Sequence, residues 1–251
     1  MILRELTKLK NSSAVILKGG VNLRLFFGSV RYSEDMDLDG ALEARDAIRN
    51  SIKAIFNDRE FLRAAQHAGI RGLDAGQGPN KDTETTFRNK FGVVLQGGVR
   101  YPTKVEVSFR ARHVEDESVI EDVPPRLVAG YGMTRIAVNH YSRTAALRQK
   151  IEALGGRAAV QARDVFDLHT LAADGVEESL VTMLAARVDP TRLQDAYTRA
   201  LTITFEEYEG QVLEFLADDA RARHGSEEAW DELRLQAATL IEAVLKRTEG
   251  S

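Results

Sequence analysis

The chain has 251 residues, 43% hydrophobic and 29% charged, with a formal net charge of −4 and no cysteine. That is enough length for a sizeable core and the composition of an ordinary globular protein. The missing cysteines exclude disulfides, a thiolate zinc site and a cysteine nucleophile; no run of about 18 apolar residues could span a bilayer, and the charged N-terminus lacks a signal-peptide apolar block, so a cytoplasmic location without a membrane partner is expected.

In chain order, Met1 to Ser13 reads as a short helix or arm ending in a turn at Asn11-Ser12-Ser13. Ala14-Val15-Ile16-Leu17 is a short apolar strand, followed by Lys18 and the pair Gly19-Gly20. Val21 to Phe27 has the apolar spacing of a helix. Asp35-Met36-Asp37-Leu38-Asp39 alternates with the period of a strand, so the three acids share one face. Bare carboxylates in a row repel one another, and such a face is stable only if it is solvated or a cation sits on it. Ala41 to Ala68 predicts one helix, or two broken near Asn57-Asp58. The polar, glycine-rich stretch from His67 to Asn80 predicts a turn or exposed loop. Thr85 to Leu95 and Thr103 to Arg110 predict strands joined by a turn at Gln96-Gly97-Gly98.

Val119 to Val123, with the adjoining Pro124-Pro125, forms a break that marks the expected domain boundary. Met133 to Val138 predicts one more strand. From Ser142, a suitable N-cap, the pattern is helical almost to the end. Gly155-Gly156 ends the first of these helices and Ala158 to Ala173 is the second. Asp189-Pro190 begins another, and Phe205 to Arg223 and Glu227 to Lys246 complete the set. The expected fold class is α+β, with a mixed sheet-and-helix core over residues 1–125 and an all-helical half over 126–251.

Charge is unevenly spread. Phe87 to His113 carries Arg88, Lys90, Arg100, Lys104, Arg110 and Arg112 against Glu106. Arg135 to Arg163 carries Arg135, Arg143, Arg148, Lys150, Arg157 and Arg163 against Glu152. These stretches form either a local basic surface or solvated faces paired with nearby acids.

The residue types then suggest chemistry. A backbone that passes close to a triphosphate has no room for a Cβ, and N–H groups at a helix start bind anions, which suits Gly19 and Gly20. An ordinary strand-to-helix turn would look the same. Gly28-Ser29 is a minor alternative to that pair, although it fits better as the end of the helix. Asp35 and Asp37, alternate residues of one strand, can both reach a pair of hard cations about 4 Å apart. Asp39 lies further along, behind them or solvated. Glu106, in the alternating Thr103 to Ser108, is the candidate third carboxylate and could help deprotonate an attacking hydroxyl. Asp82 and Glu84 compete for that place. Arg31 could fork onto phosphate or onto an aspartate. Ser33 belongs to the same segment, and Lys18 is a weaker phosphate candidate. The five histidines are scattered, and none is assigned to metal or catalysis.

The order Leu-Lys-Gly-Gly at 17–20, then R-x-S-x-D-x-D-x-D from Arg31 to Asp39, resembles the catalytic core of the DNA polymerase β-like nucleotidyltransferases. Within that superfamily it is most similar to the AbiEii-type toxins. Glu106 draws its weight from this resemblance, since the family has an acid in an equivalent Thr-Lys-apolar-Glu segment. Leu147 to Leu154 and Ala162 to Leu168 are similar to the family's Lys-x-x-Ala-Leu and Arg-Asp-x-x-Asp-Leu motifs. The resemblance implies that Lys150 reaches the triphosphate and that Asp164 and Asp167 help build the site, with the helical half completing it. Asp164 and Asp167, three apart, share a helix face and invite Arg157 or Lys150 as partner. The alternative is a structural salt-bridge network that includes Arg163. The implied activity is Mg²⁺-dependent transfer of a nucleoside monophosphate from an NTP, with two metal ions held by Asp35, Asp37 and Glu106. The implied setting is an AbiE- or MenT-like toxin–antitoxin pair, with a tRNA 3′ end as acceptor and a cognate antitoxin as partner. Two rivals are an idle nucleotide-binding module that holds a partner protein and an antibiotic-type enzyme acting on a small hydroxyl compound.

Overall fold

A computed structural model describes residues 1–8, 12–76, 80–109, 117–129 and 135–249. Asn11, Arg110, Arg112, His113 and Met133 fall outside the described residues. By its internal contacts the chain forms two units, Met1–Phe26 with Ser33–Tyr141, and Phe27–Tyr32 with Ser142–Ser251. Pro124-Pro125 falls inside the first unit, because a further strand after it packs Val138 into the same core as Leu17 and Leu38.

The first unit is a mixed sheet with helices on one face. Its strands are β1 (Val15–Lys18), β2 (Asp35–Gly40), β3 (Ile70–Ala75), β4 (Lys81–Thr83), β5 (Thr86–Leu95), β6 (Arg100–Ser108), β7 (Ser118–Asp122) and β8 (Ala137–Tyr141). They are ordered β3-β5-β6-β2-β1-β8-β7, with β4 paired to β5. β2 runs antiparallel to β1 and parallel to β6. Strand alternation sends Leu17, Leu38, Val105, Val107 and Phe87 to one side, where α1 (Ile2–Thr7), α3 (Arg45–Ile55) and α4 (Arg59–His67) supply Leu3, Leu6, Ile48, Ile52 and Phe61. The helical stretch does break in two where expected. Asp58 caps α4, accepting from the Phe61 amide at 2.7 Å.

The glycine-rich stretch after His67, expected as a turn or loop, contains the strand β3 at Ile70–Ala75. β3 has no apolar alternation to announce it, and it exists because β5 offers an edge to pair with. Gly76 closes the pairing, its amide donating to Lys90 O, and an added Cβ there would lie 2.4 Å from the Lys90 carbonyl carbon. The β5–β6 hairpin forms as expected, with Gly98 at φ +82° in its turn.

The second unit is helical, with α6 (Arg143–Gly156), α7 (Ala162–Ala172), α8 (Glu178–Ala185), α9 (Pro190–Thr202), α10 (Phe205–Gln211), α11 (Asp218–His224) and α12 (Glu227–Glu249). In the first unit, a single turn at Pro125–Val128 is α5 and Gly19–Phe26 is α2. Ser142 caps α6, Asp189 caps α9 ahead of Pro190, and Thr204 with Glu207 forms a capping box on α10. The core gathers on α12, where Trp230, Leu233, Ala237, Ile241 and Val244 are buried. Trp230 stacks on Tyr208, ring centroids 4.3 Å apart, and its N–H donates to Ile203 O at 3.1 Å. Two sequence expectations shift. α7 starts at Ala162 rather than Ala158, and Phe205 to Arg223 is two helices rather than one. The break falls at Leu213–Leu216, whose backbone receives the Phe27–Tyr32 segment: Tyr32 N donates to Phe215 O at 2.8 Å and Arg31 bridges Leu216.

Candidate active site

β2 carries the acids on the face opposite α1, α3 and α4. Register extends that face across four strands. Arg88 on β5 pairs with Glu106 on β6, Glu106 with Asp37 on β2, and Asp37 with Lys18 on β1. One step along lies the row Lys90, Lys104 and Asp35. The proposed carboxylates Asp35, Asp37 and Glu106 therefore do share one surface, as the alternation in each strand dictates.

Their partners differ. Asp35 accepts from Lys104 Nζ at 2.9 Å, and Glu106 accepts from Arg88 Nε at 2.5 Å. No hydrogen bond or ion pair is directed to the Asp37 carboxylate among the described residues. Burial lifts the Asp37 carboxyl above the usual aspartate range, and the Asp35 and Glu106 charges add to it, against Lys18 and Lys104. Burial also presses Glu106 upward, but the Arg88 guanidinium outweighs it and leaves Glu106 below the usual range. Among the described residues no three acid or histidine side chains are gathered around one point able to hold a metal ion. Asp35 and Glu106 are instead turned onto their own cations.

The donor set nevertheless suits a hard divalent cation. It consists of carboxylate oxygens, one of them, on Asp37, half-buried and in need of positive charge. The two ion pairs that hold the others are part-exposed, with side chains 25–32% accessible. Such pairs contribute only about 0–1 kcal/mol, so breaking them costs little once a cation offsets the repulsion among the three carboxylates.

Gly19 begins α2 with φ +68°, and a Cβ there would lie 2.8 Å from Asp37 Oδ2. Glycine is thus required twice, by its backbone and by the carboxylate against it. Gly20 follows in the first turn of the same helix. Lys18 Nζ reaches Asp39 Oδ1 at 2.5 Å, and the Tyr141 hydroxyl donates to Asp39 Oδ2 at 2.7 Å. Asp39 is therefore buried and fully engaged rather than solvated, and it fixes Lys18 beside Asp37. Tyr141 carries no motif, and only its strand position beside β1 could have pointed to it. Ser33 donates to the Asp35 carbonyl at 3.1 Å, shaping the entry to β2. Asp82, a rival for the third carboxylate, faces Arg45 and Lys53 of α3, on the helix side of the sheet. Glu84 is an exposed turn residue.

In the helical unit, α6 and α7 bring Lys150, Asp164 and Asp167 together. Lys150 Nζ lies 2.9 Å from Asp164 Oδ1 and 2.6 Å from Asp167 Oδ2. Arg31 forks onto Asp167, Nη2 reaching its two oxygens at 3.1 and 3.0 Å. Arg157 Nε lies 3.2 Å from Asp164 Oδ2, too poorly aligned for a hydrogen bond. Both acids are fully buried. Burial opposes the Lys150 charge, but Asp167 and Asp164 more than compensate and hold its pKa above the ordinary lysine value. Of the two sequence alternatives for Arg31, the aspartate is realised. Arg163 has no ion pair among the described residues, and Arg31 takes the place assigned to it in the network. Three cations face two carboxylates, leaving one positive charge in excess.

Among the described residues, several cations of the basic stretches are neutralised by nearby acids. Arg100 pairs with Asp74, Arg135 with Asp122, and Arg148 with Glu152. Of Gly28-Ser29, Gly28 lies just past the end of α2 at φ +69°. No helix among the described residues is long and apolar enough to cross a membrane.

A family model described as "Nucleotidyl transferase AbiEii toxin, Type IV TA system" matches residues 2–242. No curated protein matches the chain. Among solved structures, a Helicobacter pylori protein assigned as a nucleotidyltransferase is similar at TM-score 0.61 and 20% identity, covering 99% of this chain and 92% of its own. JHP933, also from H. pylori, is similar at TM-score 0.58 and 20% identity, covering 99% and 90%. MenT4, a nucleotidyltransferase toxin from Mycobacterium tuberculosis H37Rv, is similar at TM-score 0.57 and 17% identity, covering 96% and 80%. At such identities the likeness concerns the fold.

Proposed function

The chain belongs to the AbiEii family of nucleotidyltransferase toxins of type IV toxin–antitoxin systems, and from that premise we propose that the Asp35, Asp37 and Glu106 face is where a nucleoside monophosphate passes from an NTP to an acceptor hydroxyl. The observation that carries this is the transverse row Arg88–Glu106–Asp37–Lys18 beside Gly19, with the Asp37 carboxylate lacking a cation of its own. Mg²⁺, when bound by Asp35, Asp37 and Glu106, would stabilise the charge that develops on the attacking and leaving oxygens. Gly19 and Gly20 let the α2 N-terminus approach the phosphates. Asp39 and Tyr141 hold the Lys18 ammonium in place. Glu106, once released from Arg88, is the candidate to take the acceptor's proton. In the helical unit the surplus charge of Lys150 and Arg157 suits a polyanion; Arg31, Asp164 and Asp167 position Lys150, and Ser33 orders the backbone ahead of Asp35.

The acceptor we propose is a tRNA 3′ end, as the resemblance to AbiEii- and MenT-type toxins implies. The place of action is the cytoplasm, and a cognate antitoxin accompanies the protein. To test this, the protein is incubated with bulk tRNA and each labelled NTP, with and without Mg²⁺. Label on tRNA that needs Mg²⁺ and is lost in Asp37→Asn is expected. Label found only on protein or a small hydroxyl compound would remove tRNA. A second reading, a non-catalytic binding module, is favoured by the engagement of Asp35 and Glu106 with Lys104 and Arg88. It requires the double variant Asp35→Ala, Asp37→Ala to retain full growth inhibition on expression.

A further inference from the structure

The carboxylate face carries two kinds of cation. Lys18 is fixed, because Asp39 is buried and also takes the Tyr141 hydroxyl. Arg88 and Lys104 are not fixed in this way. Each makes a part-exposed pair with one acid, Glu106 or Asp35, and neither belongs to the core on the other side of the sheet. Nothing in the strand pattern demands them. β5 and β6 would pair and pack equally well with neutral residues at those positions, since Phe87, Phe91, Val105 and Val107 supply their burial. They do answer an electrostatic demand, because three carboxylates on one face repel each other when no other positive charge is near.

We propose that Arg88 and Lys104 are built-in counterions of the carboxylate face, which hold Glu106 and Asp35 while the site is empty and exchange them for phosphate when a divalent cation arrives with the triphosphate. The proposal rests on the nucleotidyltransferase reading above. Asp35, Asp37, Asp39 and Glu106 are matched on this face by Lys18, Lys90, Arg88 and Lys104, so the free face attracts a lone divalent ion only weakly. A cation that enters already bound to a triphosphate brings the anion onto which the displaced guanidinium and ammonium can turn. No bond is made or broken in this exchange. Its consequence is that the toxin stays metal-poor until nucleotide is present, and that metal and nucleotide bind with positive coupling.

The test is a Mn²⁺ titration of the full chain, followed by the electron paramagnetic resonance signal of free Mn²⁺, with and without a non-hydrolysable NTP analogue. Arg88→Gln, Lys104→Gln, their double variant and Glu106→Gln are compared. Each single neutralisation should tighten Mn²⁺ binding without nucleotide about tenfold, because one competing positive charge is gone. The double variant should tighten it further, and the gain in affinity on adding the analogue should shrink. Thermal melting of these variants should stay near wild type. Unchanged or weaker Mn²⁺ binding in both single variants, or a large drop in melting temperature, would overturn the counterion role. If wild type binds Mn²⁺ in a Glu106-dependent way in that case, the nucleotidyltransferase reading survives. If wild type binds no Mn²⁺ even with the analogue, both fall together.

Discussion

Asp37 and Gly19 are where sequence, backbone and charge meet most closely. The Asp37 carboxyl is raised in the folded protein by burial and by its acidic neighbours. The sign follows from linkage. A carboxyl raised on folding contributes stability below the unfolded aspartate pKa, and that contribution is lost as pH rises through the folded value. In EDTA, Asp37→Asn should therefore be more stable than wild type at neutral pH, and the difference should vanish toward pH 4. Urea unfolding of both proteins across that range checks it. Gly19→Ala meets two penalties, a left-handed backbone and a Cβ 2.8 Å from Asp37 Oδ2. A loss of about 1–2 kcal/mol in stability is expected from the backbone alone. Nucleotide transfer should fall more than stability does, because the carboxylate must move. Comparing kcat with the urea midpoint separates the two.

At the scale of elements, the α6–α7 pair depends on charges that the Phe27–Tyr32 segment helps to balance. Arg31 reaches it because Tyr32 N and Leu216 tie that segment to the turn before α11. Removing one partner of a buried ion pair leaves an uncompensated charge, so Asp167→Ala should cost about 3–5 kcal/mol. Arg31→Lys keeps the charge and loses the fork, for about 1.5–3 kcal/mol. Lys150→Met, which leaves Arg31 and Arg157 on the two acids, should destabilise least. Ranking the three by denaturant unfolding tests whether the network is organised around Asp167. If Arg31→Lys proves the most harmful of the three, the assignment of that centre is wrong.

Over the whole molecule, three histidines resist protonation in the folded state, chiefly because desolvation, full at His140 and partial at His169 and His224, disfavours the charged ring. His140 contacts Asn22 through Nδ1 at 2.9 Å, His169 contacts Gln236 at 2.6 Å, and His224 lies against His169 and Arg223. Below the ordinary histidine pKa of about 6.5 the unfolded chain takes up protons that the folded chain refuses. Stability should therefore be complete above that value and fall as pH drops from 7 to 5. The double variant His169→Gln, His224→Gln should flatten the part of this dependence that belongs to the helical unit. Urea midpoints at pH 5, 6, 7 and 8 measure it, and a wild-type midpoint independent of pH would contradict it.

Alternation in β2 and β6 was enough to put Asp35, Asp37 and Glu106 on one face, because side-chain direction along a strand is a local property. The glycine turn, the caps at Ser142 and Asp189 and the break at Asp58 were legible for the same reason: each satisfies backbone groups within a few residues. The resemblance to AbiEii-type toxins also needed only the order of motifs along the chain. What the sequence left open was every choice made by a distant partner. β3 is a strand because β5 lies beside it, Arg31 is a structural fork because Asp167 meets it 136 residues on, and Tyr141 secures Lys18 through Asp39. Which carboxylate would stand without its own cation was likewise decided by the alignment of four strands, since a charge's partner depends on distance in space and not on separation along the chain.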